Sequence, residues 1–127
     1  MRSHLSVTLV ALTCCLTSGC ASDVVQNEGR YFGCYALNGF PELLITEHGV
    51  YNERGSRTEL KGFKVFRNSD FLMVRNRMFV DTNAHVAFTP AATGFNYEFD
   101  RNGNHDLILF NERGDQFGLA RIGPKCR

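Results

Sequence analysis

From Arg30 to the C-terminus, apolar residues come in short runs, and each run is closed off by Gly, Asn or Asp. The runs are rich in Phe, Val, Ile, Leu and Tyr, side chains that suit a pleated, half-buried surface. No window sustains a helical period over three turns. The spacing predicts strands over 31–37, 42–47, 58–66, 70–75, 78–81, 85–89, 95–101, 104–110 and 116–122. Closely spaced strands with hairpin links imply an all-β fold, a single small antiparallel barrel or sandwich of about eight to nine short strands. Closure of such a sheet would remove its exposed edges.

Two turn signals sharpen this picture. Asn102-Gly103 between apolar runs is a strong hairpin cue, because a type I′ turn needs positive φ at both central residues. A two-residue loop there pairs Phe99 with Asp106, Tyr97 with Ile108 and Phe95 with Phe110. That register points Phe95, Tyr97, Phe99, Ile108 and Phe110 at the core, and puts Leu107 and Leu109 on the other face with Asn96 and Glu98. The second signal is a repeat: Asn52-Glu53-Arg54-Gly55 and Asn111-Glu112-Arg113-Gly114 are the same tetrapeptide, each preceded by an aromatic residue. Asn first and Gly fourth suit a type I turn. The repeat is either a recurrent hairpin solution or a duplicated surface feature that presents Glu and Arg.

The first twenty residues are of a different kind. Arg2 precedes an apolar run from Leu5 to Leu16, followed by Thr17-Ser18-Gly19-Cys20. The run is about 12 residues, too short for a span that needs ~20, so it reads as a secretory leader. Small residues directly before a cysteine resemble the lipobox of bacterial lipoprotein precursors. The resemblance implies that residues 1–19 are a signal peptide and that Cys20 is lipidated, becoming the first residue of the mature chain. Ala21 and Ser22 follow, with the first acid at Asp23. In enterobacterial members an Asp directly after the cysteine favours the inner membrane, so its absence leans toward the outer membrane, facing the periplasm. Residues 20–29 form the lipidated N-terminus and a tether reaching at most ~30 Å, and residues 30–127 form the β domain.

With Cys20 committed to lipid, the domain retains Cys34 and Cys126. One near each end of the folded region, in an oxidising compartment, they invite a single disulfide, the alternative being two buried thiols. Such a bridge closes a loop of ~90 residues, worth at most about 4–5 kcal/mol on the loop-entropy description.

Charge excludes some partners. Arg2 leaves with the leader, so 13 cations face 13 acids in the mature chain. With no excess of basic charge, nucleic acid is not the expected partner. Local chemistry is sparse. Asp100 to Asp106 alternates oxygen-bearing side chains like a calcium loop, but its glycine falls at the fourth place rather than the sixth, and Glu112 stands one residue late for the twelfth. His48, His85 and His105 lack metal-ligand spacing, and Ser56 and Ser69 sit in predicted turns without a nucleophile elbow. No metal, cofactor or catalytic residue is expected. Arg75-Asn76-Arg77, flanked by Phe71-Leu72-Met73-Val74 and Met78-Phe79-Val80, places two cations at a strand connection that could grip an acidic partner.

These readings converge on a non-catalytic protein-binding module held at the membrane through Cys20, of the inhibitor, immunity or envelope-assembly type. Arg75, Arg77, Glu53, Arg54, Glu112 and Arg113 are the expected partner-binding residues. The alternative is a lipocalin-like carrier, in which the 11 Phe and 4 Tyr line a cavity for an apolar ligand.

Overall fold

In the computed structural model, residues 28–37, 40–100 and 106–126 are described. The expected leader, Cys20 and most of the expected tether lie outside them, as does the Asn102-Gly103 pair. A 3₁₀ turn, Glu28–Tyr31, leads into β1 (Gly33–Leu37), β2 (Phe40–Thr46), β3 (Gly49–Asn52), β4 (Arg57–Thr58), β5 (Leu60–Phe66) and β6 (Ser69–Val74). Then come β7 (Arg77–Val80), β8 (Val86–Thr89), β9 (Phe95–Phe99), β10 (Leu107–Phe110) and β11 (Gln116–Gly123). No helix among the described residues is long and apolar enough to cross a membrane.

Nine strands form one antiparallel sheet in the order β4-β3-β2-β1-β11-β10-β9-β6-β5, and β7 and β8 form a separate hairpin. The two edges of the large sheet, β4 and β5, are consecutive pieces of one extended segment interrupted at Glu59. Its first part pairs with β3 and its second with β6, so the sheet curls into a nearly closed barrel. The expected strand over 58–66 is therefore split, which lets a single segment join both edges. Strand β3 was not expected: Gly49-Val50-Tyr51-Asn52 is too short, between turn residues, to show an alternation.

The barrel interior is filled. Phe63, Phe99, Leu43, Ile45, Leu72, Leu107, Leu109 and Leu119 are fully buried within it. Burial alternates cleanly along β6, with Asp70, Leu72 and Val74 inward. Cys34 and Cys126 form a disulfide with Cα atoms 5.0 Å apart, tying β1 to the chain beyond β11 across a separation of 92 residues.

The register of β9 on β10 corrects the hairpin expectation. Phe99 faces Leu107, not Asp106, and Asp100 N–H donates to Asp106 O at 2.8 Å. A one-residue slip sends every side chain of a strand to the other face. Leu107 and Leu109 are thus fully buried, Ile108 is half-buried and Phe110 is 46% exposed. The physical reason is burial: two leucines sealed in a barrel contribute roughly 1.5–3 kcal/mol each, more than a preferred turn. Among the described residues, the backbone that type I′ geometry requires occurs at Arg67-Asn68, with φ of 49° and 66°, directly between the paired Phe66 and Ser69.

Candidate functional site: the turn end of the barrel

Because the strands are antiparallel, their connections fall at two ends. At one end lie the Glu47-His48 and Arg67-Asn68 turns, the disulfide and the 3₁₀ turn. At the other lie the turns 52–56 and 111–115, the bend from β6 into β7, and the β7–β8 hairpin.

The repeated tetrapeptides build the same turn. Asn52 Oδ1 accepts from the N–H groups of Arg54 and Ser56, and Asn111 Oδ1 accepts from those of Arg113 and Asp115. Asn52 N–H donates to Ser56 O, and Asn111 N–H to Asp115 O, both at 3.0 Å. The fourth residue is left-handed in each, Gly55 at φ 80° and Gly114 at φ 86°. The side chain thus stands in for a backbone acceptor, the usual role of Asx in a turn.

A third copy occurs that the sequence analysis did not pick out. At the tip of the β7–β8 hairpin, Asp81 Oδ1 accepts from Asn83 and His85 N–H, and Asp81 N–H donates to His85 O at 2.8 Å. Its fourth residue, Ala84, is left-handed at φ 60°. The signal was present as Asx-x-x-small, but Ala in place of Gly hid it.

All three turns meet. The hairpin lies across the barrel mouth and buries Met78, Val80 and Val86 against the core. Asn52 Nδ2 donates to Val86 O at 2.9 Å, Val80 bridges Asn111, and Glu53 pairs with His85. Tyr97 OH accepts from Met78 N–H at 2.5 Å and donates to Met78 O at 3.0 Å. The Tyr97 hydroxyl is pushed above its ordinary pKa by burial. Thr58 Oγ1 donates to Asn76 Oδ1 at 2.8 Å and accepts from Asn76 N–H at 2.9 Å, fixing the bend that carries Arg75 and Arg77.

All six expected partner-binding residues therefore lie at this end. Glu53 is engaged with His85, Arg75 pairs with Glu59 at 3.9 Å, and Arg113 with Asp115 at 3.6 Å. Arg77 lies over the Phe79 ring at 4.7 Å. Exposed pairs of this kind contribute about 0–1 kcal/mol, so they cost little to exchange for contacts with a partner. Among the described residues, Arg54 and Glu112 have no ion pair. Between the second and third turns runs a groove of about 580 Å³ whose floor includes Phe79, Val80 and Phe117 and whose wall carries Asp81, Glu112 and Arg113.

The other end is chemically distinct. Tyr31 fills it from the 3₁₀ turn, its ring 4.7 Å from Phe63 and 4.8 Å from Phe99. Its hydroxyl donates to the buried Asp70 carboxylate at 2.5 Å, and Arg30 contacts both. Burial first, and then the bond to Asp70, pushes the Tyr31 hydroxyl above its ordinary pKa. Tyr35 OH donates to Tyr31 O at 2.8 Å, and burial raises its pKa to about 12.

The remaining chemistry stays scattered. His48 and His85 belong to opposite ends, as do Ser69 and Ser56, and His105 lies outside the described residues. Most of the calcium-like stretch is also outside them. Cys34, Glu42 and Cys126 come together, but both sulfurs are spent in the disulfide. No protein-family model matches the chain, and neither the curated proteins nor the solved structures contain a significant match.

Proposed function

We propose that this chain is a lipid-anchored lipoprotein of the bacterial envelope whose barrel binds another protein through its turn end, without catalysing a reaction. The observation that carries this reading is the polarity of the barrel. Two copies of one turn, joined through a third, gather Glu53, Arg54, Glu112 and Arg113 beside Arg75 and Arg77 at one end, while the chain enters at the opposite end through Glu28 and Tyr31. Cys20 precedes Glu28 by eight residues, a reach of at most ~30 Å. A lipid on Cys20 would hold the plugged end toward the membrane, here assigned to the outer membrane, and leave the turns projecting into the periplasm. The fully buried side chains inside the barrel favour recognition by this surface over carriage of an apolar ligand.

The test is cross-linking capture from native envelopes, comparing the wild type with Arg54→Ala/Arg113→Ala and with Arg75→Ala/Arg77→Ala. Loss of one specific partner in either double variant, with folding intact, supports the reading. Undiminished capture by both would remove the turn end as the binding surface. Mass spectrometry tests the anchor separately: acyl mass on the wild type and none on Cys20→Ser is the expected result.

A further inference from the structure

The barrel wall carries a second surface that the turn end does not explain. Along β6, β9 and β10 the outward side chains include Phe71, Glu98, Ile108 and Phe110, which line a groove of about 520 Å³ together with Asn96 and Gln116. Phe71 is opposite Glu98 in the β6–β9 ladder. Phe110 is 46% exposed, the same as Phe66.

These two rings differ in one respect. Phe66 has cations of its own, Lys64 at 5.5 Å and Arg67 at 5.1 Å from the ring centre. Other rings on the molecule are treated likewise: Arg30 stands over Tyr31 and Arg77 over Phe79, each at 4.7 Å. Among the described residues no cation stands over Phe110. Among the described residues, the charged side chains lining its groove are Glu98, which has no ion pair, and Asp100. Asp106, next along the same face from Ile108, keeps a carboxylate oxygen buried without a hydrogen-bond partner. An open aromatic face beside carboxylates is the environment that a guanidinium or ammonium group favours, through the ring quadrupole and charge pairing together.

We propose that this groove binds an arginine-bearing extended segment of a partner protein. The guanidinium seats between the Phe110 ring and the Glu98 carboxylate, and the aliphatic stem lies along Phe71 and Ile108. Arginine suits the site better than lysine, because its planar head can stack on the ring and bond a carboxylate at once. The inference is independent of the turn-end reading, since it uses none of the six charged residues assigned there.

The experiment is an amide chemical-shift titration of the labelled protein with the capped peptide Val-Arg-Val-Arg-Val and its isosteric citrulline counterpart. The arginine peptide is expected to shift Glu98, Ile108 and Phe110, and the citrulline peptide to leave them in place. Glu98→Gln and Phe110→Ala, both at exposed positions that leave the core intact, should each weaken binding about threefold and together about tenfold. An equal response to both peptides, shifts centred on Glu53 and Glu112 instead, or undiminished binding to the double variant would each overturn the proposal.

Discussion

The two ends of the barrel are closed by different means. At the plugged end one aromatic side chain, Tyr31, enters the interior, stacks on Phe63 and Phe99, and satisfies the buried Asp70. At the turn end a whole hairpin lies over the opening, held by side chains that imitate backbone groups: Asn52, Asp81, Asn111 and the Tyr97 hydroxyl. A plug concentrates the stabilising contacts in one residue and leaves little to display. Three small turns spread them over many hydrogen bonds, so the tips are free to carry charge. The plugged end should therefore respond steeply to single substitutions, and the turn end in small, separable steps.

The largest expected effect is Tyr31→Ala. It removes a buried ring from the barrel and takes the Tyr31 hydroxyl away from the buried Asp70 carboxylate. Truncations of buried aromatic residues cost about 3–5 kcal/mol, and urea unfolding should place this variant near 4. A loss below about 1 kcal/mol would mean that the plug is dispensable and that the contrast between the ends is false.

High pH probes the same end without mutation. Tyr35 is neutral in the fold up to a pKa of about 12, against an ordinary value of 10. A raised folded pKa contributes stability that is complete below pH ~10 and is lost as pH rises toward ~12. Two pH units at about 1.4 kcal/mol each make the loss about 3 kcal/mol. Tyr31 and Tyr97 are shifted in the same direction and steepen the decline. Alkaline unfolding monitored by tyrosinate absorbance should show this limb, and Tyr35→Phe should flatten it.

At the turn end the two repeats allow a differential measurement. Asn52 and Asn111 each accept two backbone N–H bonds, but Asn52 also donates to Val86 O in the capping hairpin. The Asn111 amide donates only to the exposed Asp115 carboxylate. Asn52→Ala should cost about 2 kcal/mol and Asn111→Ala about 1. Equal losses would mean that the hairpin does not lean on the first turn.

How much of this was legible in the sequence follows from the range of the forces involved. The short apolar runs closed by Gly, Asn or Asp and the identical tetrapeptides are local, so most strands and the two repeated turns could be read directly, and the Cys34–Cys126 pairing from the cysteine count. Tyr31 as a plug could not, because its partners Asp70 and Phe99 are distant in sequence and meet only through barrel closure. The β9–β10 register failed because a strong local turn signal competed with the burial of Leu107 and Leu109. The gathering of the six charged residues was equally invisible, since the antiparallel order alone brings their turns to one end.

The smallest effect bears most directly on whether the three turns are one device. Gly55, Ala84 and Gly114 occupy the same left-handed position, and only Ala84 carries a Cβ there. That conformation costs an L-residue about 1–2 kcal/mol relative to glycine. Glycine returns part of this, about 0.4–1 kcal/mol, through the greater freedom of its unfolded chain. Ala84→Gly should therefore stabilise the barrel by about 0.5–1 kcal/mol, a rise of some 2–6 °C in Tm. The reverse changes, Gly55→Ala and Gly114→Ala, should destabilise by a similar amount. No atom lies within 4 Å of the Cβ that either would add, so the penalty is purely conformational. Matched, opposite shifts across the three positions would establish one turn used three times. A destabilising Ala84→Gly would instead mean that the hairpin tip draws on contacts of the alanine methyl group, and that the third turn resembles the other two in hydrogen bonding alone.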